Sequence, residues 1–320
     1  MQRRFIDYLI ISLKGIAMGA ADVVPGVSGG TIAFISGIYE ELLESIDGFN
    51  FNAIKTWKTK GFKTAWNSIN GNFLLALFSG IAISIISLAK LIKWLLTNEA
   101  ILLWSFFFGL VLASIIYIGN QIKTWDYKAI LALIISAILS YFITLAEPFA
   151  SPDSNLYLFL SGFIAIIAMI LPGVSGAFIL LTLGVYQTAL DTINNLITGI
   201  TTLDFDLFKA AFVKFSMIAL GALLGIKAFS KLLNWMFKHH KNMTLAILTG
   251  FMIGSLNKIW PWKKVLTWRV NSHNEKVPFL EKSISPFSFE GDNLLLFSIG
   301  LMAIGFLLII VLEKLGSKKQ

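Results

Sequence analysis

With 320 residues, 56% of them hydrophobic and only 14% charged, the chain lies outside the composition of soluble globular domains, which are about one quarter charged. Its formal charge of +8 is carried in short stretches between apolar runs. That pattern suits topology signals and anionic lipid head groups rather than nucleic acid, so no nucleic-acid partner is expected. The absence of cysteine excludes disulfides, thiolate metal sites and cysteine nucleophiles.

Arg3 and Arg4 precede a first apolar segment over residues 5–21 that Lys14 interrupts, so it reads as a retained helix rather than a cleaved leader. Further apolar segments follow at 30–46, 72–96, 100–119, 127–145, 156–171, 176–197, 207–233, 243–256 and 293–312. A full crossing needs about 20 apolar residues, and several segments reach that length. The segments flanking Pro25 and Pro172 are shorter and paired about a Pro-Gly break, the pattern of re-entrant or discontinuous helices. Residues 52–69 alternate Lys with Ile54, Trp57, Phe62 and Trp66, which predicts an amphipathic helix on the inner leaflet. The tryptophans lie mostly near segment ends, where an interfacial belt would put them. His239, His240 and His273 fall in expected loops, and neither a metal nor a cofactor is expected.

The segments repeat. Pro25-Gly26-Val27-Ser28-Gly29 recurs as Pro172-Gly173-Val174-Ser175-Gly176, an offset of 147 residues (25 to 172). At the same offset Gly15 meets Gly162, and Gly37-Ile38-Tyr39 meets Gly184-Val185-Tyr186. Later the offset becomes 141 (80 to 221), where Gly80 meets Gly221, Trp94 meets Trp235 and Gly109 meets Gly250. This register predicts a duplication, with residues 1–147 as the first membrane repeat and 148–320 as the second, in one integrated domain. Each repeat reads as a broken helical hairpin plus three crossings. Lys55, Lys58, Lys60 and Lys63, then Lys123 and Lys128, then Lys238 and Lys241 mark the cytoplasmic side, with both termini on it. The odd number of net crossings per repeat inverts the second copy. The expected fold class is therefore an all-α polytopic membrane protein of two inverted repeats. Residues 258–292 run against the charge rule. They fall outside yet carry six basic residues, among them Lys258 and Lys263.

The two breaks are the candidate site. Proline removes a donor and stops the arriving helix, and Gly26, Gly29 and Gly30 permit a tight turn. The next helix then begins near Ser28 with unpaired amides that carry partial positive charge, and Thr31 adds a hydroxyl. Gly173, Val174, Ser175 and Gly176 supply the same elements after Pro172. Mirrored through the membrane, the two tips would face one compact anion. The simpler role for both serines is helix capping in a close-packed interior. Asp22, whose repeat position is Met169, is the candidate for proton coupling, or else a cap or a partner of Lys14.

The run from Met18 to Thr31, with Asp22-Val23-Val24-Pro25-Gly26-Val27-Ser28-Gly29-Gly30, the Gly37-Ile38-Tyr39-Glu40-Glu41 that follows, and Leu171 to Gly176 resemble the bacterial polyprenyl-phosphate transporter (PopT) family over essentially the whole chain. The resemblance implies recycling of undecaprenyl phosphate across the cytoplasmic membrane for envelope glycan synthesis, with the head group at both motifs and the phospholipid bilayer around the chain. Ala177 and Phe178 stand where the first motif has Gly30 and Thr31, so the halves need not contribute equally. A carrier of a small soluble anion is the competing reading. An undecaprenyl-pyrophosphate phosphatase is a third, weakened because Gly29 follows Ser28 where that family has an arginine and because Arg3, Arg4 and Arg269 are remote from both motifs. No nucleotide-binding motif is present, so neither ATP hydrolysis nor enzymatic chemistry is expected.

Overall fold

The computed structural model describes residues 3–23, 28–145, 154–270 and 276–317. The first helix, α1 (Phe5–Val23), opens with the Asp7 carboxylate accepting from the Arg4 amide at 2.8 Å, an anion placed at the positive end of the helix. After the break come α2 (Gly29–Ile35) and α3 (Tyr39–Gly48). Residues 30–46 were expected as one arm. They are two helices because Gly37 takes φ +73°, a left-handed conformation that glycine enters without a steric cost. The short helices α4 (Phe51–Lys60) and α5 (Phe62–Ser68) follow. They replace the single amphipathic helix expected at 52–69, broken at Gly61, which has φ +84°. Their apolar side chains Phe51, Ile54, Trp57 and Phe62 are all exposed, as a surface lying on lipid would be.

Three long helices come next: α6 (Gly71–Asn98), α7 (Ala100–Gly119) and α8 (Tyr127–Leu145). The pattern then recurs, with α9 (Asn155–Ile170), a break, α10 (Gly176–Thr182), α11 (Tyr186–Thr201), α12 (Phe205–His239) and α13 (Lys241–Ser255). Between α10 and α11 the chain turns by 105° around Gly184 at φ +70°, the position 147 residues after Gly37. The outer segment read as a loop holds an antiparallel hairpin, β1 (Lys263–Val270) and β2 (Lys276–Ser283), with Lys263 opposite Ser283 and Trp268 opposite Pro278. A register shift lies between Val265 and Thr267. α14 (Leu295–Ser317) closes the chain. Among the described residues α7, α8 and α12 are each long and apolar enough to cross a membrane. The exposed faces of α8 and α12 are lined by Ile134, Ile138, Phe142, Leu220 and Leu223, far more apolar surface than a soluble protein leaves in water. The chain is a mainly helical, multi-pass membrane protein.

The helices pair in a reciprocal way. α1 lies along α6, and α9 lies along α12. Both pairs close at glycines: a methyl group on Gly15 would overlap the Leu77 carbonyl, and one on Gly162 would overlap the Ile218 carbonyl. Small residues let helix backbones approach within dispersion range where lipid supplies no hydrophobic drive. The other two pairs cross between the early and late parts of the chain, α7 with α14 and α8 with α13. One large core runs through α1, α2, α3, α6, α7, α12 and α13 and buries Tyr39, Phe73, Leu77, Leu248 and Met252. A smaller one joins α9, α10 and α13 through Ala165, Ala168, Val174, Ile179 and Phe251.

Candidate functional site

α9 must end at Ile170 because Pro172 pushes Leu171 into an extended conformation (φ −65°, ψ 127°). The break leaves the last carbonyls of α9 and the Gly173 amide without helical partners. The first break supplies them. Ser28 Oγ donates to the Met169 carbonyl at 3.0 Å. The Tyr39 hydroxyl donates to the Ile170 carbonyl at 3.0 Å, and Thr31 Oγ1 accepts from the Gly173 amide at 2.9 Å. Ser28, Thr31 and Tyr39 are all buried. The two tips are thus in direct contact, the first satisfying backbone of the second that an apolar interior would otherwise penalise.

Within the first tip the amides already have partners. Gly29 N–H donates to Asp22 Oδ1 at 2.7 Å. Gly30 N–H donates to Ser28 Oγ at 3.1 Å, and Thr31 N–H to the Ser28 carbonyl at 2.9 Å. Ser28 and Asp22 therefore both cap α2, and Asp22 lays its carboxylate where an external anion would otherwise sit. In the second tip Ser175 Oγ accepts from Phe178 N–H at 3.4 Å, and Gly173 takes φ +87° beside Ser255 and Met252. Pro25, Gly26 and Val27 lie outside the described residues. The remaining candidates, Ser28, Gly29, Gly30 and Thr31 on one side and Pro172, Gly173, Val174, Ser175 and Gly176 on the other, belong to the two meeting tips.

The charged neighbours of the second tip were not legible in sequence. Lys258, just past α13, shares a small pocket with Gly173, Val174, Ser175, Phe178 and Thr144. Its ammonium lies 4.5 Å from the centre of the Phe178 ring. Lys263 on β1 is buried, 3.8 Å over the Trp104 ring, and 3.7 Å from Glu281 Oε2. Burial pushes the Lys258 amine below the ordinary lysine range, partly offset by Glu281. Burial also lowers Lys263 to about 8, with Glu281 opposing and Lys258 adding to the drop. Only their residue type and the charge conflict of the outer segment hinted at either. A second cavity of about 410 Å³ lies beside this one, between Phe108, Asn257, Trp260, Ser283 and Ser285. Among the described residues no group of three or more His, Asp or Glu could hold a metal ion.

The chain is a helical membrane protein in which residues at the start of α2 and α3 cap the broken end of α9 at a buried polar junction, and its relatives class it as a transporter rather than an enzyme. Residues 18–277 match the VCA0040-like family, described as undecaprenyl phosphate translocase-like, and the chain belongs to that family. It is 44% identical to the polyprenyl-phosphate transporter of Vibrio cholerae over 99% of this chain and 100% of that protein. It is 33% identical to the polyprenyl-phosphate transporter of Staphylococcus aureus over 78% of this chain and 85% of that one. No solved structure matches it.

Proposed function

We propose that this chain moves undecaprenyl phosphate across the bacterial cytoplasmic membrane by alternating access, returning the carrier lipid inward for envelope glycan synthesis. The observation that carries the reading is the hydrogen-bonded junction of the two tips, Ser28 to Met169 and Thr31 to Gly173. Open backbone in a bilayer is stable only where it is protein-lined or meets a polar ligand, and a junction that can part exposes amides and hydroxyls to a phosphate. The prenyl tail stays in lipid. The halves at 1–147 and 148–320 are read as inverted repeats, each a re-entrant hairpin plus three crossings, with both termini cytoplasmic. Support comes from the matched pairings α1–α6 and α9–α12 and the reciprocal ones between α7, α8, α13 and α14.

In this arrangement the Asp22 carboxylate competes with the head group for the Gly29 amide. Head-group binding at the first tip needs Asp22 to be protonated or to swing away, which makes Asp22 the coupling residue. The deciding test measures undecaprenyl phosphate on the outer leaflet of cells lacking the protein. Wild type should lower that exposure, and Ser28→Ala and Ser175→Ala should not. Asp22→Asn should flatten the pH dependence of the rescue. Wild-type protein that leaves outer-leaflet exposure unchanged defeats the reading.

A further inference from the structure

We propose that Lys258 is the cation that receives a phosphate group at the second tip, and that the hydrogen bond between Asn257 and Thr144 is the closure separating it from the cavity beside the β-hairpin. The expected loop at 258–292 broke the charge rule, and two of its basic residues do not face solvent. Lys258 and Lys263 turn inward, Lys258 into the tip pocket and Lys263 to 3.7 Å from the Glu281 carboxylate. Lys264 instead pairs with Glu290 at 3.1 Å in an exposed position. The inward group therefore holds two ammonium ions against one carboxylate, and the buried Lys263 Nζ has no hydrogen-bond partner among the described residues. Two buried ammonium ions beside a single carboxylate are costly unless a second counter-ion arrives. Lys258, the other ammonium of this group, borders the Gly173–Ser175 tip.

Phe178 explains how Lys258 stays in place without a ligand. It occupies the repeat position of Thr31, and its ring holds the ammonium by a cation–π contact. The first tip has a hydroxyl there that bonds Gly173. The halves thus divide the work, with Thr31 joining the tips and Phe178 parking the cation. Asn257 Nδ2 donates to Thr144 Oγ1 at 3.0 Å. Asn257 lines the 410 Å³ cavity, whereas Thr144 and Lys258 line the tip pocket. The tip pocket itself measures about 10 Å³, room for roughly one water, so a phosphate enters only when this closure parts. Aromatic walls from Phe108 and Trp260, whose rings lie 5.3 Å apart, suit an amphiphile passing through the outer cavity.

The chemistry inferred is that of a phosphate with free oxygens. That it belongs to a prenyl lipid rests on the reading given under Proposed function. The full-length protein in nanodiscs is titrated with a polyprenyl monophosphate in one arm and with inorganic phosphate in the other. Lys258→Gln should weaken binding at least tenfold, and Lys258→Arg should stay within about threefold of wild type. Glu281→Gln, which removes the opposing charge, should bind as tightly or more tightly. Lysine-dependent binding of the lipid alone assigns the site to the lipid head group, and equal lysine dependence for inorganic phosphate assigns it to the free anion. Lys258→Gln binding within twofold of wild type, or Glu281→Gln weakening binding as much as Lys258→Gln, overturns the inference. Wild type that rescues cells alongside an equally active Lys258→Gln sinks this inference and leaves the carrier reading standing. Wild type that fails to rescue, with lysine-dependent phosphate binding intact, does the reverse.

Discussion

The most exacting residues are those that serve the opposite tip. Thr31→Val keeps the shape but removes the acceptor for the buried Gly173 amide, which should cost roughly 1–3 kcal/mol. It should appear as a lower melting temperature in detergent together with lost transport. Thr31→Ser should retain both, and an unchanged melting temperature for Thr31→Val would mean that the amide finds another partner. Lys263 predicts a pH effect of definite sign. Its folded value of about 8 lies below the ordinary lysine value near 10.4. Above pH 8 the folded protein sheds the proton while the unfolded chain still holds it, so folding gains stability between about pH 8 and pH 10.5. Below pH 8 the full burial penalty remains. Lys263→Met should therefore raise the melting temperature at pH 7, and the gain should shrink as pH rises toward 10. A gain that is constant with pH would show that the amine is not the source.

At the scale of elements, α3 is held by charges that reach it from outside. Lys241 pairs with Glu40 at 2.8 Å, Lys238 with Glu44 at 3.3 Å, and Arg3 with Glu41 at 2.5 Å. Lys227 reaches from α12 to the end of α3. It donates to the Ile46 and Asp47 carbonyls and meets Asp47 Oδ1 at 3.0 Å. Within α11, Gln187 bonds Asp191 at 2.9 Å. Exposed pairs such as Lys238–Glu44 contribute little, about 0–1 kcal/mol, whereas Lys227 also caps orphan carbonyls at a helix C-terminus. Lys227→Met should raise hydrogen exchange through α3, and Glu44→Gln should leave it unchanged. Equal effects would mean that charge alone, not capping, ties the helix. The sequence displays the Pro-Gly breaks because proline leaves a donor missing whatever surrounds it. It hides the second bends because Gly37 and Gly184 sit in uninterrupted apolar runs, and only a positive φ reveals them. The β-hairpin is hidden for a related reason: Lys263-Lys264-Val265-Leu266-Thr267-Trp268 has no clean two-residue alternation, since one lysine turns inward over an aromatic ring.

For the whole molecule, the repeat register points to two of the four helix pairings and leaves the other two open. The match of Gly15 with Gly162 and of Gly80 with Gly221 anticipates the α1–α6 and α9–α12 contacts, because close-packed glycines carry their own signature. Nothing in composition says that α7 turns to α14 and α8 to α13, since that choice is made by topology. The exchange has a mechanical consequence. α8 carries Ser140 and Thr144 against the second tip and is itself packed along α13, just past which lie Asn257 and Lys258. The Asn257–Thr144 bond thus joins α8 to the residues just past α13, and the alternating motion proposed between residues 1–147 and 148–320 would have to break it in each cycle. The chain has no cysteine, so an introduced pair is alone in the molecule. Asn257→Cys combined with Thr144→Cys, joined by a short thiol crosslinker, should abolish transport more than tenfold. A reducible crosslinker should restore transport once it is cleaved, and neither single variant should respond. Full transport by the crosslinked pair would show that the two helices move as one body, and the alternating motion would then have to be sought elsewhere in the bundle.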